Sequence, residues 1–233
     1  MMIYWLLFAL PGLILGLWAQ SRVKGAFKKY SKVRTARNVT GAQVARALLD
    51  EQGLSHVAIE ESQGGTLSDH YDPRNKVLRL SPEVYREPSI AAAGVAAHEM
   101  GHALQDANKY VPLMFRSALV PATQFTSRLA PMLFAAGFML MIFLQSDIGL
   151  YIAWAGVALF LVAVLFTLVT LPVELNASKR AKALLRSSGI LIGDELEGVN
   201  KVLNAAALTY VAAAVAAIGQ LLYYVMILSG RRR

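Results

Sequence analysis

Apolar and polar positions fall into two regimes along this chain: long uncharged blocks and one shorter stretch of mixed period. Residues 2–19 (MIYWLLFALPGLILGLWA) carry no charge. No basic residue precedes Arg22, and Trp5 and Trp18 stand near the two ends like interface anchors. The block therefore reads as a retained membrane anchor rather than a cleaved signal peptide. Further apolar blocks cover 129–144, 150–173 and 205–228. A bilayer core needs about 20 apolar residues per helix, which makes four spans. The block at 129–144 is short unless it begins before Arg128 or tilts. Residues 108–128, with Pro112 and Pro121, read as a helix lying at the interface.

The mixed stretch begins at Thr40, an N-cap. Val44, Ala45, Leu48 and Leu49 recur at helical spacing and Gly53 stops the helix. Residues 56–60 (HVAIE) alternate like a strand, and Gly64 and Gly65 make a turn. Residues 76–81 (KVLRLS) are a second extended run behind the turn signal Asp72–Asn75. Residues 40–82 thus predict a helix and a small antiparallel sheet. Pro88 and Ser89 then open an Ala-rich helix over 90–107.

Composition agrees with the blocks. The chain is 56% hydrophobic and 16% charged, with a mean hydropathy of +0.46, too apolar for an ordinary soluble domain. The absence of cysteine excludes disulfide frameworks, thiolate zinc sites and cysteine nucleophiles. The net charge of +8 would suggest nucleic acid in a soluble protein. Here the basic residues flank apolar blocks instead, which points to anionic lipid and to topology. Arg22, Lys24, Lys28, Lys29, Lys32, Arg34 and Arg37 form a solvated juxtamembrane run with no acid among them. The positive-inside rule places 20–128 and 174–203 in the cytoplasm and the loop 145–149 outside. A full fourth span would leave Arg231–Arg233 outside, against the rule.

The sharpest chemistry is His98-Glu99-Met100-Gly101-His102, an H-E-x-x-H pattern. On a helix, positions i and i+4 share a face, so both imidazoles can reach one zinc ion. Glu99 can face the metal's open position and take a proton from water whose pKa the metal lowers to about 7. A catalytic zinc takes three protein ligands. The residues alone leave the third open among His56, His70 and a carboxylate. Glu174 stands out because it ends a long apolar run. It can equally be a snorkelling charge, or an acid in the first turn of a helix begun by Pro172. Two rival functions are a membrane adaptor or scaffold with a zinc site, and a site-2-type intramembrane protease. A purely structural site needs no base, which disfavours the first. The second would carry its motif inside a span and take an Asp-Gly ligand from a late one.

Four segments together carry a family resemblance: 67–74 (LSDHYDPR), 97–105 (AHEMGHALQ), 172–178 (PVELNAS) and 203–210 (LNAAALTY). The chain resembles the YugP-type membrane zinc metallopeptidases, the neutral zinc metallopeptidase 2 group. It is more distantly similar to the HtpX-type and CAAX-processing peptidases. The resemblance implies Zn2+ on the H-E-x-x-H pair, with Glu174 as third ligand, because Glu174–Ser178 lines up with the E-x-x-A-D of the distant relatives. Ser178 departs from that pattern, where Asp supports a zinc-binding histidine.

The expected fold is a mainly α membrane protein of four hydrophobic helices plus a small zincin-like α+β catalytic region with an H-E-x-x-H helix. The expected division is an anchor (1–20), a catalytic region (21–128), a transmembrane hairpin (129–173), a segment with the third ligand (174–203) and a last helix with a basic tail (204–233). The expected activity is zinc endopeptidase action on membrane or unfolded proteins, from the cytoplasmic side of a bacterial plasma membrane. Expected partners are a peptide or membrane-protein substrate and the lipid bilayer, with no nucleic acid. Residues 76–81 are a candidate edge strand for substrate backbone. His70, Tyr71 and Tyr210 are candidate transition-state stabilisers.

Overall fold

The computed structural model describes residues 2–65 and 68–230. Arg231–Arg233, on which the topology rule is at odds, and Leu67, which opens one family segment, lie outside the described residues. The first helix runs Met2–Tyr30, as α1 (Met2–Tyr4), a π-helical stretch Trp5–Ala9 and α2 (Leu10–Tyr30). Then follow α3 (Gly41–Glu51), β1 (Ala58–Glu61), β2 (His70–Asp72), β3 (Val77–Leu80), α4 (Pro82–Arg86) and α5 (Ile90–Ala107). Three long helices complete the order: α6 (Val111–Phe143), α7 (Asp147–Ser187) and α8 (Asp194–Ser229). Among the described residues, four helices are long and apolar enough to cross a membrane: Met2–Tyr30, α6, α7 and α8. The chain is mainly helical, with one small sheet.

The long helices run further than the apolar blocks, and they correct the sequence reading at 108–128 and at Pro172. The basic run after Trp18 is helical as far as Tyr30. Residues 108–128 are no separate interfacial helix, because α6 is unbroken from Val111 to Phe143. Pro172 does not start a helix either; it and Glu174 lie inside α7. Pro121 and Pro131 are likewise interior to α6. Each proline removes one backbone hydrogen bond, and a long apolar helix with neighbours on hand tolerates that loss. Residues 194–203 form the opening of α8, whose first turn holds Asp194, Glu195 and Glu197 at the positive end of the helix dipole.

Contacts divide the chain into two compact units: Met1–Trp18, Met114–Pro172 and Tyr210–Arg233 form one, and Ala19–Leu113 with Val173–Thr209 the other. The first unit is made of helix alone among the described residues. Phe134, Met141, Ala153, Val157 and Leu228 form its core cluster, and the Phe134 and Tyr224 rings stack 3.8 Å apart. Glycines let its helices touch backbone to backbone. A Cβ on Gly12 would stand 2.5 Å from the Ala216 Cα, and one on Gly219 would collide with the Phe8 carbonyl. Without a hydrophobic drive between helices in lipid, this close packing is what associates them.

The second unit is organised around α5. Leu48, Leu49, Leu78, Leu80 and Met100 are fully buried in its core, each contributing about 1.5–3 kcal/mol by leaving water. Thr40 caps α3 as expected, in a reciprocal pair with Gln43, and Gly53 follows with φ +70°. The sheet departs from expectation. It has three strands in the order β1-β3-β2, with β1 parallel and β2 antiparallel to β3. β2 was not apparent as a strand. The Asp72 carboxylate accepts hydrogen bonds from the Arg74 and Asn75 N–H groups and the Asn75 amide. That folds β2 back on β3, with Lys76 at φ +50° completing the turn. These donors, the Asn75 side chain first, push the Asp72 carboxyl down to about 2. Residues 76–81 are therefore not an edge: β3 is the central strand, paired on both sides.

Candidate metal centre

The Ser89 hydroxyl accepts from the Ala92 N–H and starts α5. Before it, the chain leaving α2 is pinned to the same point. Thr35 N–H donates to the Pro88 carbonyl, Ile90 N–H to the Val33 carbonyl, and Ala36 N–H to the buried Glu195 carboxylate of α8. The alanine face of α5 faces the core. Gly101 lets α7 approach, because a Cβ there would stand 2.6 Å from the Ala177 carbonyl oxygen.

That approach sets Glu174 against the motif. Its Oε2 lies 3.1 Å from His98 Nε2 and 3.4 Å from His102 Nε2. The imidazoles meet edge to face, centroids 4.9 Å apart. Ligand atoms of His98, His102 and Glu174 all lie within 4.8 Å of one another. Glu174 and His102 are buried, at 4% and 8% exposure. Each ring has its Nδ1 engaged elsewhere, His98 with Ser178 Oγ at 3.1 Å and His102 with Gln105 Oε1 at 3.0 Å. Both Nε2 atoms thus turn toward one carboxylate, a two-nitrogen, one-oxygen donor set that suits zinc. The local field suits a cation as well. Burial pushes the His102 imidazole down, but the hydrogen bond to Glu174 and the Glu99 and Glu174 charges outweigh it, and its proton affinity ends above the ordinary histidine value.

Glu99 is buried beside this group, and its Oε2 accepts the Tyr71 N–H at 3.1 Å. The edge strand β2 thus meets α5 through its backbone. The Tyr71 hydroxyl is committed elsewhere: it donates to Asp106 Oδ2 at 2.7 Å, which also takes Lys76 Nζ at 2.5 Å. Burial, then the Asp106 carboxylate, push the phenol well above its ordinary value. Asp69 fastens the segment before β2 by accepting the Ser81 N–H and hydroxyl. Burial raises its carboxyl, the Ser81 bonds oppose that, and the Glu99 charge adds to it.

Neither of the other two histidines joins this group among the described residues. His70 is exposed, with Nδ1 2.8 Å from the Ser68 carbonyl oxygen. His56 is exposed in the turn before β1. Tyr210 lies on α8. Sequence reasoning missed Asp106, Gln105 and Asn176. Gln105 had a local signal, three residues after His102 and so on the same helix face.

No solved structure matches the chain. It is 49% identical over 218 residues, 93% of each chain, to the "Putative membrane protease YugP" of Bacillus subtilis (strain 168). The family model described as "Putative neutral zinc metallopeptidase" matches residues 5–229. With four apolar helices and a His-His-Glu group fit for its metal, this integral membrane chain belongs to the neutral zinc metallopeptidase family, whose cofactor is zinc.

Proposed function

We propose that the chain is a membrane-anchored zinc endopeptidase that cleaves membrane or unfolded proteins, with His98, His102 and Glu174 holding the metal and Glu99 acting as general base. The observation that carries this is the convergence of two imidazole nitrogens and one carboxylate, brought from α5 and α7, with a second buried carboxylate beside them. Zinc bound there supplies Lewis acidity for a peptide carbonyl and brings the pKa of water near 7. Glu99 takes the proton from the attacking water and delivers it to the leaving amine. The Tyr71 N–H holds the Glu99 carboxylate in one orientation beforehand. Ser178 orients His98 in the place that Asp fills in the distant relatives.

The catalytic region (21–128) and the segment 174–203 are assigned to the cytoplasmic face of a bacterial plasma membrane. The anchor 1–20, the hairpin 129–173 and the last helix 204–233 hold them there. The basic residues of both segments support that side.

Full-length protein in detergent should carry about one zinc per chain. Glu99→Gln should keep the zinc and lose peptide hydrolysis by about 10²–10⁴-fold. Wild-type protein that holds zinc and cleaves no unfolded or membrane polypeptide would favour a scaffold with a structural metal instead.

A further inference from the structure

Gln105 is completely buried, yet every polar atom of its amide is used. Its Nε2 donates to the Val173 carbonyl at 2.8 Å and to Asn176 Oδ1 at 3.0 Å, and its Oε1 meets His102 Nδ1 at 3.0 Å. The orientation of that amide follows from its neighbours. A backbone carbonyl can only accept. Asn176 presents its oxygen too, because the same Oδ1 takes a 2.7 Å hydrogen bond from Arg180 Nε, and a guanidinium can only donate. Gln105 must therefore turn its NH2 to α7 and its oxygen to His102. An amide oxygen only accepts, so His102 Nδ1 carries a proton, and Nε2, on the Glu174 side, is the nitrogen left to give its lone pair to a metal. His98 has no such constraint, since the Ser178 hydroxyl can donate or accept.

Gln105 also spans two helices. It projects from α5 one turn beyond His102, and its NH2 is held by the residue immediately before Glu174 and by one two positions after it. A single buried side chain thus fixes both the tautomer of one donor and its separation from another.

We propose that Gln105 is a positioning residue of the metal site, so that zinc affinity depends on a side chain that never touches the metal. The inference rests on the assignment of zinc to His98, His102 and Glu174. It is tested on the full-length protein in detergent by stripping the metal and titrating zinc against a chromophoric chelator, with thermal unfolding followed in parallel. Gln105→Met keeps the length and loses all three hydrogen bonds; zinc affinity should fall by about 10–100-fold. Gln105→Glu keeps an acceptor for His102 and loses the donors to α7, so its loss should be smaller than that of Gln105→Met.

A folded Gln105→Met protein that binds zinc within twofold of wild type overturns the proposal, even if its melting temperature falls, because packing alone would then explain the residue. Should that variant not fold, 15N-histidine labelling of the zinc-loaded wild type decides. With only four histidines, the His102 signal can be assigned by single replacement. A proton on Nδ1 protected from water supports the proposal, and Nδ1 bound to zinc refutes it. Zinc binding that His98→Ala abolishes and Gln105→Met leaves intact sinks the role of Gln105 alone. Wild-type protein without zinc sinks the ligand assignment, and this inference with it.

Discussion

The two units of this molecule keep their shape by different means. In the helical unit the close contacts are glycine against backbone, as at Gly12 with Ala216 and Gly219 with Phe8, and its core cluster is apolar and aromatic. In the other unit, side-chain hydrogen bonds hold elements far apart in sequence: Ala36 to Glu195, Tyr71 to Glu99 and Asp106, Gln105 to Val173 and Asn176. Apolar packing fixes a helix by shape, without requiring any one atom to face another. A hydrogen bond between buried groups has one geometry, and leaving it unmade costs about 1–3 kcal/mol. Directional contacts are concentrated where donor atoms must hold their places.

Six substitutions, in four steps of falling effect, put that contrast under load. The largest effect should come from His98→Ala or Glu174→Ala, each of which leaves two metal donors. Bound zinc, measured by atomic absorption after gel filtration, should fall from about one per chain to near zero, and hydrolysis with it. Retention of stoichiometric zinc in either variant would remove that residue from the site.

Next come two glycine replacements that look alike on paper. Gly101→Val drives a side chain into the Ala177 carbonyl, and Gly219→Val one into the Phe8 carbonyl. Both should lower thermal stability, by about 1–3 kcal/mol from overpacking. Only Gly101→Val should weaken zinc binding, by tenfold or more in the chelator titration, because it separates the helices that carry the donors. Equal zinc affinity in the two variants would erase the distinction between the units.

Tyr71→Phe tests the hydroxyl. It removes the bond to Asp106 and keeps the backbone N–H on Glu99. Stability should drop by about 1 kcal/mol and kcat by less than tenfold. A loss of about 10²–10³-fold in kcat would show that the hydroxyl stabilises the transition state after all.

The smallest effect belongs to Asp72. Its folded carboxyl titrates at about 2, below its ordinary 3.8. The stability it contributes is therefore complete above pH 4 and lost as the pH falls from about 4 to 2. The group is near the surface, so the contribution is about 0.5 kcal/mol or less. Melting temperatures of wild type and Asp72→Asn should differ slightly at pH 6 and converge toward pH 2.

What the sequence disclosed follows the range of the forces involved. The caps at Thr40 and Ser89 act within three residues and were legible, as was the i, i+4 pair of histidines. The three residues of β2 were not, because nothing local distinguishes them from a polar loop; their strand exists through pairing with β3. The parallel register of β1 on β3 depends likewise on a partner about twenty residues away. Pro121 and Pro172 misled because a local rule for helix boundaries yields to a long apolar ladder. Glu174 was found from its place at the end of an apolar run and from family resemblance. Gln105 and Asn176 were not found, since their meeting across 71 residues appears only in three dimensions.

α7 has no interruption from Asp147 to Ser187, and Glu174 is one tooth on that rod. An α-helix advances about 100° per residue, so slipping the register by a single position would carry the carboxylate to another side and leave the two imidazoles facing a leucine or a valine. On the proposed ligand assignment, metal occupancy becomes a gauge of rotation: zinc would report the angular setting of the turn of α7 that carries Glu174.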